Sequence, residues 1–165
     1  MFESLTSWLF YLLQNFGLLG LFVATCISSS LIPIPVEVFL ATMISLGFSP
    51  FLVALTAAIG STLGGATTYY LGRGASKIAK LDIERARNFI EKYGSIAVFI
   101  FAFTPLPYDA VALASGVAKL SREKFLFATF TGRLARFLMI SEAIQISVLL
   151  LGQAWQLCMP DKHPK

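Results

Sequence analysis

The sequence predicts an all-α integral membrane protein, an inverted repeat of two re-entrant helical hairpins that are each followed by a transmembrane helix. Three observations predict it: an apolar composition, long apolar segments that are broken by prolines, and an internal repeat around those breaks. Of the 165 residues, 56% are hydrophobic and 13% are charged, and the mean hydropathy is +0.75. Soluble domains carry about 25% charged residues. The composition therefore excludes a soluble enzyme, a nucleic-acid-binding protein and a disordered chain.

The charges are distributed unevenly along the chain. Residues 1–72 contain no Lys or Arg, and their only acids are Glu3 and Glu37. Two charge-free runs result, 4–36 and 38–72, and each exceeds the ~20 residues that cross a bilayer as a helix. All 13 Lys and Arg lie at or after Arg73, which is typical of cytoplasmic loops.

The first apolar run is broken near its end by Pro33 and Pro35, which are followed by Glu37. Proline removes a backbone donor and disfavours helical geometry in the residue before it. In lipid, such a break persists only where it is buried in protein or lines a wet cavity. The break therefore predicts a hairpin that enters the membrane and returns.

The chain becomes helical again over 36–47, and Ser49-Pro50 has the pattern of an N-cap and a first turn. The helix that follows, 51–71, is long enough to span the membrane. After it, 73–92 is polar and mixed in charge, which indicates a helix on the membrane surface or in the cytoplasm.

A third apolar segment, 94–118, is broken by Pro105 and Pro107, with Asp109 next to them. Basic residues flank it on both sides, so the positive-inside rule places both of its ends in the cytoplasm. This pattern predicts a second re-entrant hairpin. The apolar stretch over 124–157 is too long for one perpendicular span, and whether it forms one tilted helix or two is left open.

The two proline turns are copies of one pattern. Pro33-x-Pro35-x-Glu37 matches Pro105-x-Pro107-x-Asp109 at an offset of 72 residues, and the same offset pairs Ser49 with Ser121 and Gly60 with Gly132. Phe16-Gly17 further resembles Tyr93-Gly94 after a five-residue shift. The single membrane domain, 1–165, therefore divides into repeat 1 (about 16–72), the surface segment 73–92, repeat 2 (about 93–157) and a polar tail, 158–165.

The single spanning helix between the turns gives the two repeats opposite orientations. Inverted repeats are the architecture of many secondary transporters, whose broken helices bring polar groups to the membrane midplane. By the same repeat, residues 1–15 correspond to the surface segment and lie in the outer interface, although whether they span is left open.

Glu37 and Asp109 are the first candidate site residues. A carboxylate near the bilayer centre costs about 2.5–3.5 kcal/mol and usually faces a cavity, an ion path or a partner. One interpretation is binding of substrate or a proton. The other is that each acid caps the half-helix after its proline turn.

Arg133 and Arg136 are the second pair of candidates. Counted at about 1.5 Å per residue from Lys124, they lie about 13 and 18 Å into the membrane, on one helix face. They are expected to face the protein interior, where they pair with Glu37 or Asp109 or meet an anionic headgroup. As the deeper of the two, Arg136 is expected to matter more for recognition of a phosphate.

Small residues predict close helix packing at Gly60, Gly64, Gly65 and Gly132. Cys26 and Cys158 have no metal-binding spacing, and His163 lies in the polar tail. We therefore expect no catalytic residues, no metal and no cofactor.

At these residues the chain resembles the DedA superfamily, also called the VTT or SNARE-associated domain family, and in particular its short YqaA-like branch. The residues that carry the resemblance run from about 16 to 137: Pro33-x-Pro35-x-Glu37, Gly60-x-x-Leu63-Gly64-Gly65, Tyr69-Tyr70-Leu71-Gly72-Arg73, Tyr93-Gly94, Phe103-Thr104-Pro105 with Asp109, and Gly132-Arg133-x-x-Arg136-Phe137. The resemblance implies a multi-pass protein of the prokaryotic inner membrane with paired re-entrant hairpins.

The resemblance also implies lipid translocation, with undecaprenyl phosphate or a phospholipid as substrate. The chain departs from the larger members at three positions: Gly65 replaces an Asp, and Ala102 and Tyr108 replace two arginines. Arg133 and Arg136 are the available substitutes.

The sequence thus predicts a transporter or scramblase for an anionic lipid, with proton coupling and a homodimer left open. The alternatives are a small ion or solute channel or carrier that uses the same acids, and a structural protein that supports envelope integrity.

Overall fold

The computed structural model describes residue 11 and residues 13–29, 36–74, 83–104 and 108–158. Every regular element within these ranges is an α-helix. The principal helices are α1 (Leu18–Ser28), α2 (Val36–Ser45), α3 (Pro50–Gly74), α4 (Ile83–Phe103), α5 (Tyr108–Val117) and α6 (Arg122–Cys158). The prediction of an all-helical fold is confirmed. The proline turns at Pro33, Pro35, Pro105 and Pro107, residues 1–10 and residues 75–82 lie outside the described residues.

Local sequence signals set the boundaries of α2 and α3. Pro50 is the first residue of α3, and the Val53 amide donates to the Ser49 carbonyl at 3.0 Å, as the Ser-Pro pattern predicts. Helix α2 ends before Gly47, whose φ of +88° is readily adopted only by glycine. The Gly47 amide donates to the Ile44 carbonyl and the Phe48 amide to that of Met43, which closes the helix end.

Two helices, α3 with 25 residues and α6 with 37, are long and apolar enough to cross a membrane. At 1.5 Å per residue they measure about 38 and 56 Å, more than the ~30 Å of a hydrocarbon core. The apolar stretch over 124–157 therefore lies in one continuous helix. Its second half exposes large apolar side chains such as Leu149 and Leu151, as a surface in contact with lipid does.

The remaining apolar helices are short. Helices α1, α2 and α5 have 11, 10 and 10 residues, so each extends only about 15–17 Å, roughly half of a hydrocarbon core. Helix α3 packs against α1, α5 and α6, and α6 also packs against α4. The long helices thus form a central pair that the short helices surround.

Two glycines 77 residues apart have nearly the same unusual backbone geometry. Gly17, just before α1, has φ 54° and ψ −125°, and Gly94, inside α4, has φ 55° and ψ −130°. Side chains strongly disfavour this region of φ/ψ space. Gly94 therefore kinks α4, and the apolar part of this helix begins there.

Glycines bring the long helices into backbone contact with α1 and α4. A Cβ on Gly60 would lie 2.6 Å from the Phe22 carbonyl oxygen, and one on Gly132 would lie 2.8 Å from that of Phe99. A Cβ on Gly64 would lie 2.4 Å from the Cys26 carbonyl oxygen. These distances leave no room for a side chain, as expected of the small-residue pattern.

Two further glycines bring α3 and α5 together: Gly72, which is part of a motif of the family resemblance, and Gly116, which the sequence did not single out. A Cβ on Gly72 would lie 2.2 Å from the Leu113 carbonyl oxygen, and one on Gly116 would lie 2.1 Å from that of Tyr69.

The apolar core consists of two clusters. One joins α1, α2 and α3 to the middle of α6 around Phe39 and Phe137, and the other joins the end of α3, α4 and α5 to the first turns of α6 around Tyr69 and Phe125. Because Arg133 lies between Phe125 and Phe137 on α6, its side chain is placed where the two clusters meet.

Candidate functional site

Arg133 is an almost fully buried cation, with 8% of its surface exposed. Its Nη1 donates to the Ser29 hydroxyl at 3.0 Å and to the Ser61 carbonyl oxygen at 2.6 Å. Ser29 caps the C-terminal end of α1, and Ser61 lies in the middle of α3. Arg133 therefore joins three helices through neutral acceptors.

The ring of Tyr108 covers the other side of this guanidinium. The Arg133 Cζ lies 4.4 Å from the ring centroid, which is a cation–π contact. The Tyr108 hydroxyl is hydrogen-bonded to the hydroxyl of Thr129, one turn before Arg133 on α6. Tyr108 is the first residue of α5, so the start of this helix is fixed against α6.

Gly65 leaves the space that the Tyr108 ring occupies. A Cβ at position 65 would lie 3.1 Å from Tyr108 Cε1 and 3.7 Å from Arg133 Nη2. Position 65 is where the larger relatives are expected to carry an Asp, and position 108 is where they are expected to carry an Arg. In this chain a glycine faces an aromatic ring instead, and the ring contacts Arg133.

Arg136 is bound differently from Arg133. Its Nη2 forms an ion pair with Oε1 of Glu37, in the first turn of α2. The two side chains are 24% and 36% exposed, so this pair is half-buried. The ion pair connects α6 to the start of α2 and gives Arg136 a carboxylate partner.

Asp109 lies in the first turn of α5 and is exposed. It is close enough to interact electrostatically with Arg133, but within the described ranges it forms no salt bridge. Both predicted acids thus lie in the first turn of a short helix, where a negative charge stabilises the helix dipole. Only Glu37 has a direct arginine partner among the described residues.

A cavity of about 140 Å³ lies between these groups. The described residues that line it come from α1, α2, α4, α5 and α6: Ser29, Val36, Glu37, Ala102, Tyr108, Arg133, Arg136 and Phe137. Such a volume exceeds what one water molecule needs. Among the described residues it contains two arginines and one carboxylate, so its wall carries net positive charge.

Three of the four predicted polar residues, Glu37, Arg133 and Arg136, therefore line one cavity, and Asp109 is not among its described lining residues. The sequence patterns did not single out Ser61 or Thr129. Tyr108 was noted only because it replaces an arginine of the larger members, and its position next to Asp109 in the second proline turn was a further signal. The described ranges contain no group of three or more His, Cys, Asp or Glu side chains that would hold a metal ion.

The apolar composition and the two helices that are long and apolar enough to cross a membrane indicate a helical membrane protein. The chain belongs to the VTT domain family, whose family model matches residues 32–145. The predicted family is thereby confirmed, and the matched region contains all four candidate residues.

Three relatives extend this comparison. The inner membrane protein YqaA of Escherichia coli is 30% identical over 79% of this chain and 92% of its own length. Undecaprenyl phosphate transporter A of Bacillus subtilis is 30% identical over 76% of this chain and 69% of its own length. An alkaline phosphatase-like protein of Lactococcus lactis subsp. cremoris is 29% identical over 88% of this chain and 75% of its own length. No solved structure matches the chain.

Proposed function

We propose that the protein moves an anionic, phosphate-bearing lipid across the membrane, and that Arg133 is the cation that meets the phosphate. The observation that carries this proposal is a buried arginine on a cavity wall whose hydrogen-bond acceptors are both neutral. Among the described residues Arg133 has no salt-bridge partner, and a buried charge without one is costly, so a bound anion would stabilise it.

The positive charge of the cavity wall would attract the phosphate of a lipid. A lipid phosphate that crosses ~30 Å of hydrocarbon needs a compensating charge near the midplane. A guanidinium stays protonated and offers a planar fork that matches phosphate oxygens. Arg133 is the stronger candidate for this contact, rather than Arg136 as the depth argument favours, because Glu37 already neutralises Arg136.

The name of one relative supports a phosphate-bearing lipid as the substrate. Undecaprenyl phosphate transporter A is similar in sequence to this chain across most of the matched family region. Positions 102 and 108, where the larger members are expected to carry arginines, line the same cavity here as Ala102 and Tyr108. The proposed phosphate site therefore has the same location as the arginines expected in the larger members, but other residues supply its positive charge.

The proposed architecture is an inverted repeat with two re-entrant hairpins in a multi-pass protein. Helices α1, α2 and α5 are too short to cross a bilayer, which supports hairpins rather than spans. The equal torsions of Gly17 and Gly94 support the repeat. The contacts of Gly60 with Phe22 and of Gly132 with Phe99 support it further, because each pair occupies corresponding positions in the two units.

The Glu37–Arg136 ion pair suggests how a proton would be coupled to transport. Protonation of Glu37 removes its negative charge, which frees Arg136 to join Arg133 at the phosphate. Deprotonation restores the ion pair and weakens the hold on the anion. In this proposal no covalent bond of the lipid is made or broken.

The size of the cavity favours a second candidate, a carrier of small anions. A volume of about 140 Å³ suits a headgroup or a small solute better than a whole lipid. Under the lipid proposal only the phosphate enters, and the acyl chains stay in the bilayer.

A flux assay in proteoliposomes separates these proposals. Fluorescent anionic lipids, zwitterionic lipids and a small phosphate ester are each followed with and without a pH gradient. The lipid proposal expects faster translocation of anionic than of zwitterionic lipid. Exchange of the phosphate ester without translocation of lipid would favour the small-anion carrier. An equal rate of anionic lipid transport with and without the pH gradient would indicate a scramblase without proton coupling.

A further inference from the structure

A second group of basic residues lies where α3 ends and α6 begins, away from the Arg133 cavity. It consists of Arg73 at the end of α3, Lys119 between α5 and α6, and Arg122 and Lys124 in the first turn of α6. We call these four residues the basic cluster. Two cavities of about 270 and 340 Å³ adjoin it, and both are lined by Lys119 and Ser121.

The cavities carry an excess of positive charge. Arg73, Lys119 and Arg122 line the smaller cavity together with Glu123, and Lys119 and Lys124 line the larger one beside apolar residues of α4 and α5. Glu123 is the one acid among the described lining residues. Four cations therefore surround two adjoining spaces whose described walls contain a single carboxylate.

Arg73 is held in place at this site. Its Nη1 donates to the Tyr69 hydroxyl at 2.8 Å, and that hydroxyl donates to the Leu120 carbonyl oxygen at 2.5 Å. The Tyr69 ring is buried and stacks on Phe125 of α6. The end of α3 is thereby fixed to the connection between α5 and α6, so the position of Arg73 relative to Lys119 is set by the fold.

Lys119 occupies a backbone position that favours glycine. Its φ is +54°, the one positive φ of a non-glycine residue among those described. The Lys119 amide donates to the Gly116 carbonyl at 3.0 Å and the Leu120 amide to that of Ser115 at 3.1 Å, which is the usual closure of a helix by glycine.

The corresponding position of the first repeat does hold a glycine. Gly47 lies 72 residues earlier, has φ +88° and makes the same pair of hydrogen bonds. The chain thus places a lysine where the same local structure elsewhere uses glycine, although the left-handed conformation disfavours a side chain. The exchange adds a positive charge at this helix end.

We propose that the basic cluster binds a phosphate-bearing anion at the cytoplasmic surface of the membrane. The charge distribution of the sequence places this end of α3 and α6 in the cytoplasm. Both helices leave the hydrocarbon there, at the level of the headgroups, and basic pockets between helices on that side recognise anionic headgroups. A lipid headgroup and a soluble phosphate share this chemistry. The cluster shares no described residue with the Arg133 cavity.

Lys119→Gly is the most informative variant because it removes a charge and also places glycine in a left-handed conformation that glycine adopts readily. The purified protein in phosphatidylcholine nanodiscs is titrated with short-chain phosphatidylglycerol or, in a separate arm, with inorganic phosphate. Binding is followed by native mass spectrometry and thermal unfolding. The matched control is Lys92→Gln, which removes a lysine that lies over the Tyr93 ring, outside the described lining of both cavities.

The proposal expects Lys119→Gly to weaken binding of the anion about fivefold, the effect of about 1 kcal/mol for one basic residue at a membrane surface. Without ligand, this variant should unfold at the same temperature as the wild type or higher. Binding that is stronger for phosphatidylglycerol identifies a lipid headgroup, and equal binding of inorganic phosphate identifies a soluble anion. Either result supports the site. An equal loss in Lys119→Gly and Lys92→Gln, or no binding in either arm, overturns it.

Discussion

The guanidinium carbon of Arg133 lies 4.4 Å from the centre of the Tyr108 ring. This contact joins the start of α5 to the middle of α6 and covers one side of a buried charge with an aromatic face. Since the hydrogen bonds of Arg133 go to a hydroxyl and a backbone carbonyl, its positive charge remains available to an anion in the cavity. Arg136, one turn further along α6, is paired with Glu37.

The first prediction concerns the two contacts that Tyr108 makes. Tyr108→Phe keeps the ring over Arg133 but loses the hydrogen bond to Thr129, whereas Tyr108→Leu loses both. A buried cation–π contact contributes about 2 kcal/mol and a neutral hydrogen bond about 1 kcal/mol. We therefore expect Tyr108→Leu to lower the thermal stability and the transport rate more than Tyr108→Phe. Tyr70→Leu, at an exposed tyrosine of α3, is the control. Equal effects of the two Tyr108 variants would show that the contact between the ring and Arg133 contributes nothing.

The second prediction concerns the acids. Glu37→Gln and Asp109→Asn should each abolish transport while the protein remains inserted and folded. Loss of a charge in the first turn of a helix costs only about 0.3–1 kcal/mol, and loss of the half-exposed ion pair with Arg136 adds up to about 1 kcal/mol for Glu37. Transport per folded molecule and thermal unfolding are measured together in proteoliposomes. A variant that loses stability but keeps its transport per folded molecule would show that its acid only caps the helix.

The third prediction concerns the glycine contacts of the long helices. Gly60→Ala and Gly132→Ala should destabilise the protein by about 1–3 kcal/mol, because the new methyl group meets the backbone of α1 or α4. Gly152→Ala is the matched control: it meets no atom within 4 Å, and alanine favours helix, so a gain of up to about 1 kcal/mol is expected. These values are read from thermal unfolding in detergent. Unchanged stability of Gly60→Ala would contradict the close contact between α1 and α3.

The fourth prediction concerns topology. Single cysteines at Gly74 and Ser121, in a variant without Cys26 and Cys158, should both react with a membrane-impermeant reagent from the cytoplasmic side. The charge pattern places both positions there, and Arg73 and Ser121 line one cavity. If the two positions are labelled from opposite sides, residues 94–118 form a true span and the inverted-repeat proposal fails.

The parts of the fold that depend on local chemistry could be predicted from the sequence. The start of α3 at Pro50 follows from a serine and a proline, and the membrane character follows from the composition. The contact between Arg133 and Tyr108 could not be predicted, because it joins residues of two helices that meet only after folding. Sequence spacing also placed Arg133 and Arg136 on one helix face with the same set of partners, whereas packing buries one and pairs the other with Glu37.

The same limit applies to Lys119. In the sequence it is one of several basic residues that flank an apolar segment, and only the backbone shows that it stands in a left-handed conformation. The repeat contained the signal, since the matching residue is Gly47. A difference within an otherwise matching pair of turns is therefore informative about function.

The central claim is that Arg133 recognises the phosphate of a lipid, and the most direct test is the flux ratio of Arg133→Lys. Wild type and variant are reconstituted at equal amounts of folded protein, and translocation of anionic and zwitterionic lipids is measured in parallel. Lysine keeps the charge but loses the planar fork and the close fit between Ser29, Ser61 and Tyr108. We predict that Arg133→Lys lowers the rate of anionic lipid transport about tenfold, which corresponds to a loss of about 1.4 kcal/mol in interaction free energy. Arg133→Ala should lower the rate only slightly more. Wild-type transport by Arg133→Lys, or equal transport of anionic and zwitterionic lipids by the wild type, would contradict it.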